Sequence, residues 1–251
     1  MIAAPDSVEP GPSRLSADAF VERLRSEGSR RYHNHHPFNA RMHAGQLAKA
    51  DLERWVVNRF YYQTRIPIKD ALILSKSEDP AFRRAWIRRI GDHDGTREGE
   101  GGLVEWLVLA RGLGLDEAEV QSCRGVLPAV RAVCDSYVEL VRTRSLVEAV
   151  ASSLTEHFAP GIMRTRVAAW ERHYPWVDAA ALAYFRARVP RATRDAEEAL
   201  AFVVAHATTR AAQEACVRAL VAKCTILWGL LDAVAEAVAE PPARPLPGRL
   251  P

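Results

Sequence analysis

The sequence offers little to the chemistries most easily read from motifs. It has four cysteines, Cys123, Cys134, Cys216 and Cys224, and no two stand in C-x-x-C spacing. Neither a zinc site nor a disulfide framework is signalled, and Cys134, Cys216 and Cys224 fall in apolar helical patterns that read as buried free thiols. Glu-x-x-His is absent, which weighs against a di-iron bundle. Also missing are G-x-x-x-x-G-K-S/T, a dinucleotide-binding glycine fingerprint after a strand, and G-x-S-x-G, so no phosphate-cradling loop or nucleophile elbow is indicated. Uninterrupted apolar runs of about 18 residues are lacking, so no membrane span is expected. Met1–Asp6 carries no basic segment followed by an apolar one, which leaves cytoplasm as the default location. Lysine is scarce: Lys49, Lys69, Lys76 and Lys223 are the only four among 34 basic residues, so each lysine's placement is more informative than that of any one arginine.

What is present fits one all-helical domain. The 251 residues, 48% hydrophobic and 26% charged, suffice for a single buried core. The net charge of +3 could suggest nucleic acid, but the basic residues are scattered among acids and form no basic run with interleaved aromatics, so nucleic-acid binding is not expected. Residues 1–14 are Pro/Gly/Ser-rich and read as a flexible tail, 15–239 as the helical domain, and 240–251 as a proline-rich tail. Apolar residues recur at three- and four-residue steps, with no convincing strand alternation and no internal repeat. Helices are expected over about 17–26, with Ser16 as N-cap and Gly28 past the end, and over about 50–64, with Pro67 kinking or restarting the chain. Asp79-Pro80 starts another that runs to about Ile90, after which Gly91, Gly95, Gly99, Gly101 and Gly102 mark a loop. Further helices are expected over about 103–111, 129–142, 146–158, 162–172, 179–188, 196–207 and 210–238.

Several of these helices carry polar residues where the core should be. The last has the stripe Cys216, Ala219, Leu220, Lys223, Leu227, Leu230 and Val234, with Lys223 in its middle. Such a lysine must snorkel out, meet an anion or face a polar cavity. Leu52, Trp55, Val56, Arg59, Tyr62 and Gln63 repeat the pattern, as do Phe82, Trp86, Arg89 and Ile90, which project to His93. Tyr137 shares a face with Val130 and Val133, and Glu156 and Arg166 extend the faces of Leu154 and Trp170. Burying unpaired charge costs several kcal/mol. Glu156 can neutralise only one of Arg59, Arg89, Arg166 and Lys223, so the remaining positive charge points to a ligand with more than one carboxylate or phosphate.

Two histidine groups stand out. In Tyr32-His33-Asn34-His35-His36-Pro37 adjacent rings cannot all face one ion and no carboxylate lies nearby in sequence, so structural or substrate-contacting roles are favoured over metal binding. His93, in Asp92-His93-Asp94-Gly95, suits either a general base near neutral pH or a helix C-terminal cap.

The segment from Trp55 to Asp70, WVVNRFYYQTRIPIKD, closely resembles the pyrroloquinoline-quinone synthase (PqqC) family. Tyr32-His33 with His35-His36-Pro37, Arg89 to Gly95, Ser152 to Glu156, His173 to Trp176 and Lys223 with Leu227-Trp228 match it too, and the resemblance spans about residues 17–238. It implies a compact haem-oxygenase-like helical bundle, usually a homodimer, that closes a ring and oxidises a quinone-like tricarboxylated precursor. Molecular oxygen is the implied oxidant, with neither metal nor organic cofactor. Carried over by residue, Arg59, Gln63, Lys69, Arg89, Arg166 and Lys223 would hold carboxylates and carbonyl oxygens. His33, Tyr62, Tyr137 and Glu156 would line the same cavity, His93 would be the general base, and Tyr184 and Arg188 would sit at the oxygen-handling end.

Two positions depart from that family's pattern. Met163 stands where some members have a histidine, and Thr225 where an acidic residue is common. Methionine cannot shuttle a proton, so any such role must be dispensable or supplied by another group. Two other functions stay open at this level: a thiaminase-type hydrolase on the same bundle, which needs a nucleophilic cysteine at the cavity, and a non-catalytic protein that binds the precursor. The proline-rich tail leaves open a small carrier, domain or protein, that delivers substrate.

Overall fold

The computed structural model describes residues 13–239. The expected tails lie outside the described residues apart from Ser13 and Arg14. Among the described residues are eleven α-helices and no strand: α1 (Ala17–Arg31), α2 (Pro37–His43), α3 (Lys49–Ser75), α4 (Pro80–Asp94), α5 (Gly102–Gly112), α6 (Glu117–Ser122), α7 (Pro128–Thr143), α8 (Leu146–Ser152), α9 (Ala159–His173), α10 (Ala183–His206) and α11 (Arg210–Ala239). Short 3-10 turns occupy His33–His35, Ser153–His157 and Ala179–Leu182. The starts follow from sequence: Ser16 Oγ accepts from the Ala19 amide at 3.2 Å, and the Asp79 carboxylate accepts from the amides of Ala81 and Phe82, with Pro80 at the first helical position.

The three long helices α3, α10 and α11 form the frame. α3 lies along α7 and α4, α10 along α9 and α8, and α11 along α8, α7 and α1. Trp55, Trp106, Trp170 and Phe185 bring α3, α5, α9 and α10 together, with ring centroids 5.4–6.3 Å apart. These contacts make a rigid aromatic floor.

The helices depart from the expected boundaries for physical reasons. Gly28 does not end α1, which runs on to Arg31. A Cβ there would lie 2.4 Å from Phe158 Cε2, so the glycine lets that ring rest against the helix backbone. Pro67 sits inside a continuous α3 and Pro190 inside a continuous α10, which joins segments expected as two helices. A proline costs a helix interior about 3 kcal/mol. Both helices are packed on several sides, and that burial outweighs the lost hydrogen bond. α4 passes through Gly91 to Asp94, so His93 is in its last turn. The helix expected over 146–158 stops at Ser152, and the tighter turn that follows carries Thr155 and Glu156 toward the interior.

Candidate active site

A small cavity of about 30 Å³ lies where α3, α9, α10 and α11 meet the turns at 33–35 and 153–157. Its wall includes His33, Arg59, Tyr62, Gln63, Glu156, Tyr184 and Arg188, all singled out from sequence, together with Met163. Sequence reasoning missed Tyr32, Ile66, Thr155, Ala159 and Leu227, whose residue types carry no polar oddity on an apolar stripe or, for Thr155, only a small one. Lys69, Arg89, His93, Tyr137, Arg166 and Lys223 do not line this space directly; they form the layer behind it. Lys223 Nζ donates to Tyr62 Oη at 2.7 Å, and Tyr137 stacks parallel to Tyr62 with centroids 6.4 Å apart.

Six cations are buried here, and the way they pair decides what the site can bind. Lys69 Nζ lies 2.7 Å from Asp70 Oδ1 and donates to Ser153 Oγ at 3.0 Å. Arg188 pairs with Glu156 and lies 3.7 Å from Asp195 Oδ2. Arg89 donates to the Asp195 carbonyl, and its Nε is 3.9 Å from Asp195 Oδ1. Burial would lower the affinities of Lys69 and Arg188 for their protons, but Asp70 for one and Glu156 with Asp195 for the other hold them above their ordinary values.

The other three cations, Arg59, Arg166 and Lys223, make no ion pair with a carboxylate among the described residues. Arg59 lies 4.0 Å from the Tyr62 ring centroid. Arg166 donates to Asn39 Oδ1 at 3.0 Å and faces Trp55. Lys223 is 3.4 Å from the Tyr137 ring centroid. Ring faces and neutral oxygens compensate a cation only in part. Burial, with Arg59 close by, therefore drives the Arg166 guanidinium down to about 9, and burial with Arg59 and Lys69 holds the Lys223 ammonium well below its usual range. Lys223 does not snorkel: it is 1% exposed. The site is short of negative charge.

One charge assignment from sequence is corrected. Glu156 was expected to neutralise one of Arg59, Arg89, Arg166 and Lys223; it takes Arg188 instead. The acids that serve Lys69 and Arg89, Asp70 and Asp195, were missed. Both stand on buried stripes, Asp70 among Ile66, Lys69 and Ile73 and Asp195 among Ala192, Ala196, Ala199 and Val203. The test that found Lys223, a charge in register with apolar neighbours, would have found them had it been applied to acids.

His93 is buried, and its Nδ1 lies 3.0 Å from the Arg89 carbonyl oxygen. A carbonyl only accepts, so Nδ1 carries the proton and the lone pair is on Nε2. That Nε2 is buried and has no hydrogen-bond partner among the described residues. Burial, then Arg188, pull the imidazole down to about 3, so it stands neutral. Tyr184 Oη donates to Gln63 Oε1 at 2.9 Å, which fixes both side chains against the cavity.

The histidine-rich segment separates as its adjacency requires. His33 faces the cavity, His35 Nε2 contacts the Ser29 carbonyl oxygen at 3.2 Å, and His36 Nε2 lies 3.0 Å from Asp232 Oδ1. Of the two departures, Met163 is in the cavity wall, whereas Thr225 is exposed on α11 and donates to the Val221 carbonyl. Cys134, Cys216 and Cys224 are buried free thiols, pushed up by burial to about 12, 12 and 11.

Residues 22–233 match the model of the TENA/THI-4/PQQC family. A pyrroloquinoline-quinone synthase of Rhizobium meliloti (strain 1021) is 50% identical over 233 residues, which are 93% of this chain and 89% of that protein. One of Acidiphilium cryptum (strain JF-5) is 48% identical, covering 90% of this chain and 92% of its own length. Among solved structures, a domain of unknown function with a heme oxygenase-like fold from Shewanella denitrificans OS217 superposes with a TM-score of 0.73 at 15% identity, covering 90% of this chain and 94% of that one. A TenA homologue from P. horikoshii OT3 gives 0.64 at 13% identity, covering 86% and 98%. At such identities these two establish the fold alone, the haem-oxygenase-like bundle. By the match over most of its length, and by its identity with full-length relatives, the chain belongs to the TENA/THI-4/PQQC family.

Proposed function

We infer that this chain is a pyrroloquinoline-quinone synthase, an oxidase that closes a ring in a quinone-like tricarboxylic precursor and oxidises it to pyrroloquinoline quinone. The observation that carries the reading is the set of three buried cations, Arg59, Arg166 and Lys223, that make no ion pair with a carboxylate among the described residues. A tricarboxylate supplies the missing charges, and its binding offsets the repulsion that adds to burial in depressing Lys223 and Arg166.

The same neutralisation prepares His93. Its proton affinity is low because the imidazole is buried near Arg188 and Lys69. Anions brought by substrate offset those cations and raise the affinity, and once the substrate has widened the cavity as far as α4 the free lone pair on Nε2 receives a ring proton. We take molecular oxygen as co-substrate, with no metal or organic cofactor. Electrons that leave the substrate reduce oxygen to an anion, and Arg188 beside Tyr184 supplies fixed positive charge in a site screened from water. The hydrolase alternative lacks a nucleophile: no cysteine lines the cavity, and the three buried thiols are held protonated. The family resemblance supports a cytoplasmic homodimer, and a carrier that delivers substrate stays part of the proposal; light scattering on the purified chain tests the dimer.

Anaerobic mixing of enzyme and precursor followed by oxygen tests the activity. Quinone absorbance should grow as oxygen is consumed. If the precursor binds and neither change follows, the protein is a binder and not an oxidase.

A further inference from the structure

A second depression lies on the other side of the cavity wall. It is an open groove of about 470 Å³ between the turn at 33–35, the end of α2 and the first turns of α9. The wall between the two spaces is one residue thick. Tyr32 borders both, His33 faces the cavity while Asn34 faces the groove, and Ala159 faces the cavity while Pro160 faces the groove. Phe158 completes the groove side, its ring 5.2 Å from that of Tyr32.

The groove's charge is one-sided. Its lining contains one fixed cation, Arg164, and no acidic side chain among the described residues; burial pulls His43 down to about 4 and lowers His157 as well, so both imidazoles stand neutral near neutral pH. Arg164 is exposed and makes no ion pair among the described residues. Arg25 stands near His157, and Arg166, one of the three uncompensated cations of the cavity, stands near His43. His43 Nε2 is buried and has no hydrogen-bond partner among the described residues. The groove thus presents one exposed guanidinium, Arg164, beside uncharged imidazole nitrogens, with the buried Arg166 near His43.

We propose that this groove is an antechamber in which the polycarboxylate binds first, its carboxylates held by Arg164, His157 and His43 before it passes Tyr32 into the cavity. The proposal rests on the synthase reading for the identity of the ligand. The groove then acts on the rate of capture, since a one-signed cleft concentrates an oppositely charged ligand and raises its association rate, an effect that salt weakens.

Stopped-flow binding of pyrroloquinoline quinone, read by tryptophan quenching from low to high salt, tests it with Arg164→Glu, Arg164→Gln and Arg164→Lys. The charge reversal should slow association about tenfold at low salt and flatten its salt dependence. Gln should do so less, and Lys should retain the wild-type rate. With precursor the loss should fall on kcat/KM, and saturating substrate should recover the rate. Equal association rates for wild type and Arg164→Glu, with melting temperatures unchanged, would overturn the antechamber and leave the synthase reading intact. A wild-type chain that neither binds the quinone nor turns over the precursor would remove the synthase reading, and the antechamber with it.

Discussion

Replacing Lys223 by methionine should make this protein more stable and less able to bind its ligand. The ammonium is buried in the middle of α11 with Tyr62 Oη and the Tyr137 ring as its neighbours and no carboxylate partner among the described residues. Exchanging buried charge for an apolar side chain of similar length is worth about 1–4 kcal/mol, and the hydrogen bond lost by Tyr62 takes back about 1 kcal/mol. A net gain of about 2 kcal/mol corresponds to roughly 4–8 °C in Tm for a chain of this size. The pH dependence has a fixed sign. The folded lysine's affinity for its proton is below the ordinary 10.5, so the unfolded chain binds the extra proton and wild-type stability climbs as pH rises toward that value. The methionine variant should lack this climb. Binding moves the other way: a charge-assisted hydrogen bond to a carboxylate contributes about 1.5–3 kcal/mol, so Kd for pyrroloquinoline quinone should rise about 10- to 150-fold. Calorimetric melting from neutral to alkaline pH and a fluorescence titration measure both. A lower Tm, or an unchanged Kd, would refute the claim that Lys223 is kept for a ligand at the expense of stability.

Other outcomes follow from the same geometry. His93→Asn should leave quinone binding nearly intact while turnover falls about 10²- to 10⁴-fold; equal loss of both would remove the base assignment. In the wild type, stability should fall as pH drops from 6.5 toward about 3, because the unfolded imidazole takes a proton that the folded one refuses; the difference in melting temperature between wild type and His93→Asn should narrow over that interval. Asp195→Asn strips the carboxylate charge from beside Arg89, Arg188 and Arg194, and loss of such a buried partner costs about 3–5 kcal/mol, measurable as a drop in denaturant midpoint. Gly28→Ala places a methyl 2.4 Å from the Phe158 ring. It should destabilise by about 1–3 kcal/mol before the gain of about 1 kcal/mol in helix propensity, and a neutral result would mean that the ring moves freely.

The sequence by itself determined the fold class and most of the site's chemistry. Apolar recurrence at three and four residues admits only helices. A lysine in the register of Leu220 and Leu227 has to leave its helix on the core side, because helix geometry fixes that direction; that it stays buried and does not snorkel out was decided by the packing. Arg59, Gln63 and Arg89 were legible by the same rule, and Ser16 and Asp79 announced their helix starts through their own side chains. Tertiary structure decided which charge meets which. Glu156 reaches Arg188 and not Lys223, and Asp195 holds Arg89, because partners distant in sequence are chosen by how helices cross. Pro67 and Pro190 remain inside helices for the same reason: a local penalty of a few kcal/mol yields to burial on several sides, and no local pattern reports that burial. The site's defining property, three cations left without a carboxylate among the described residues, is a remainder after pairing, so it exists only once the chain is folded.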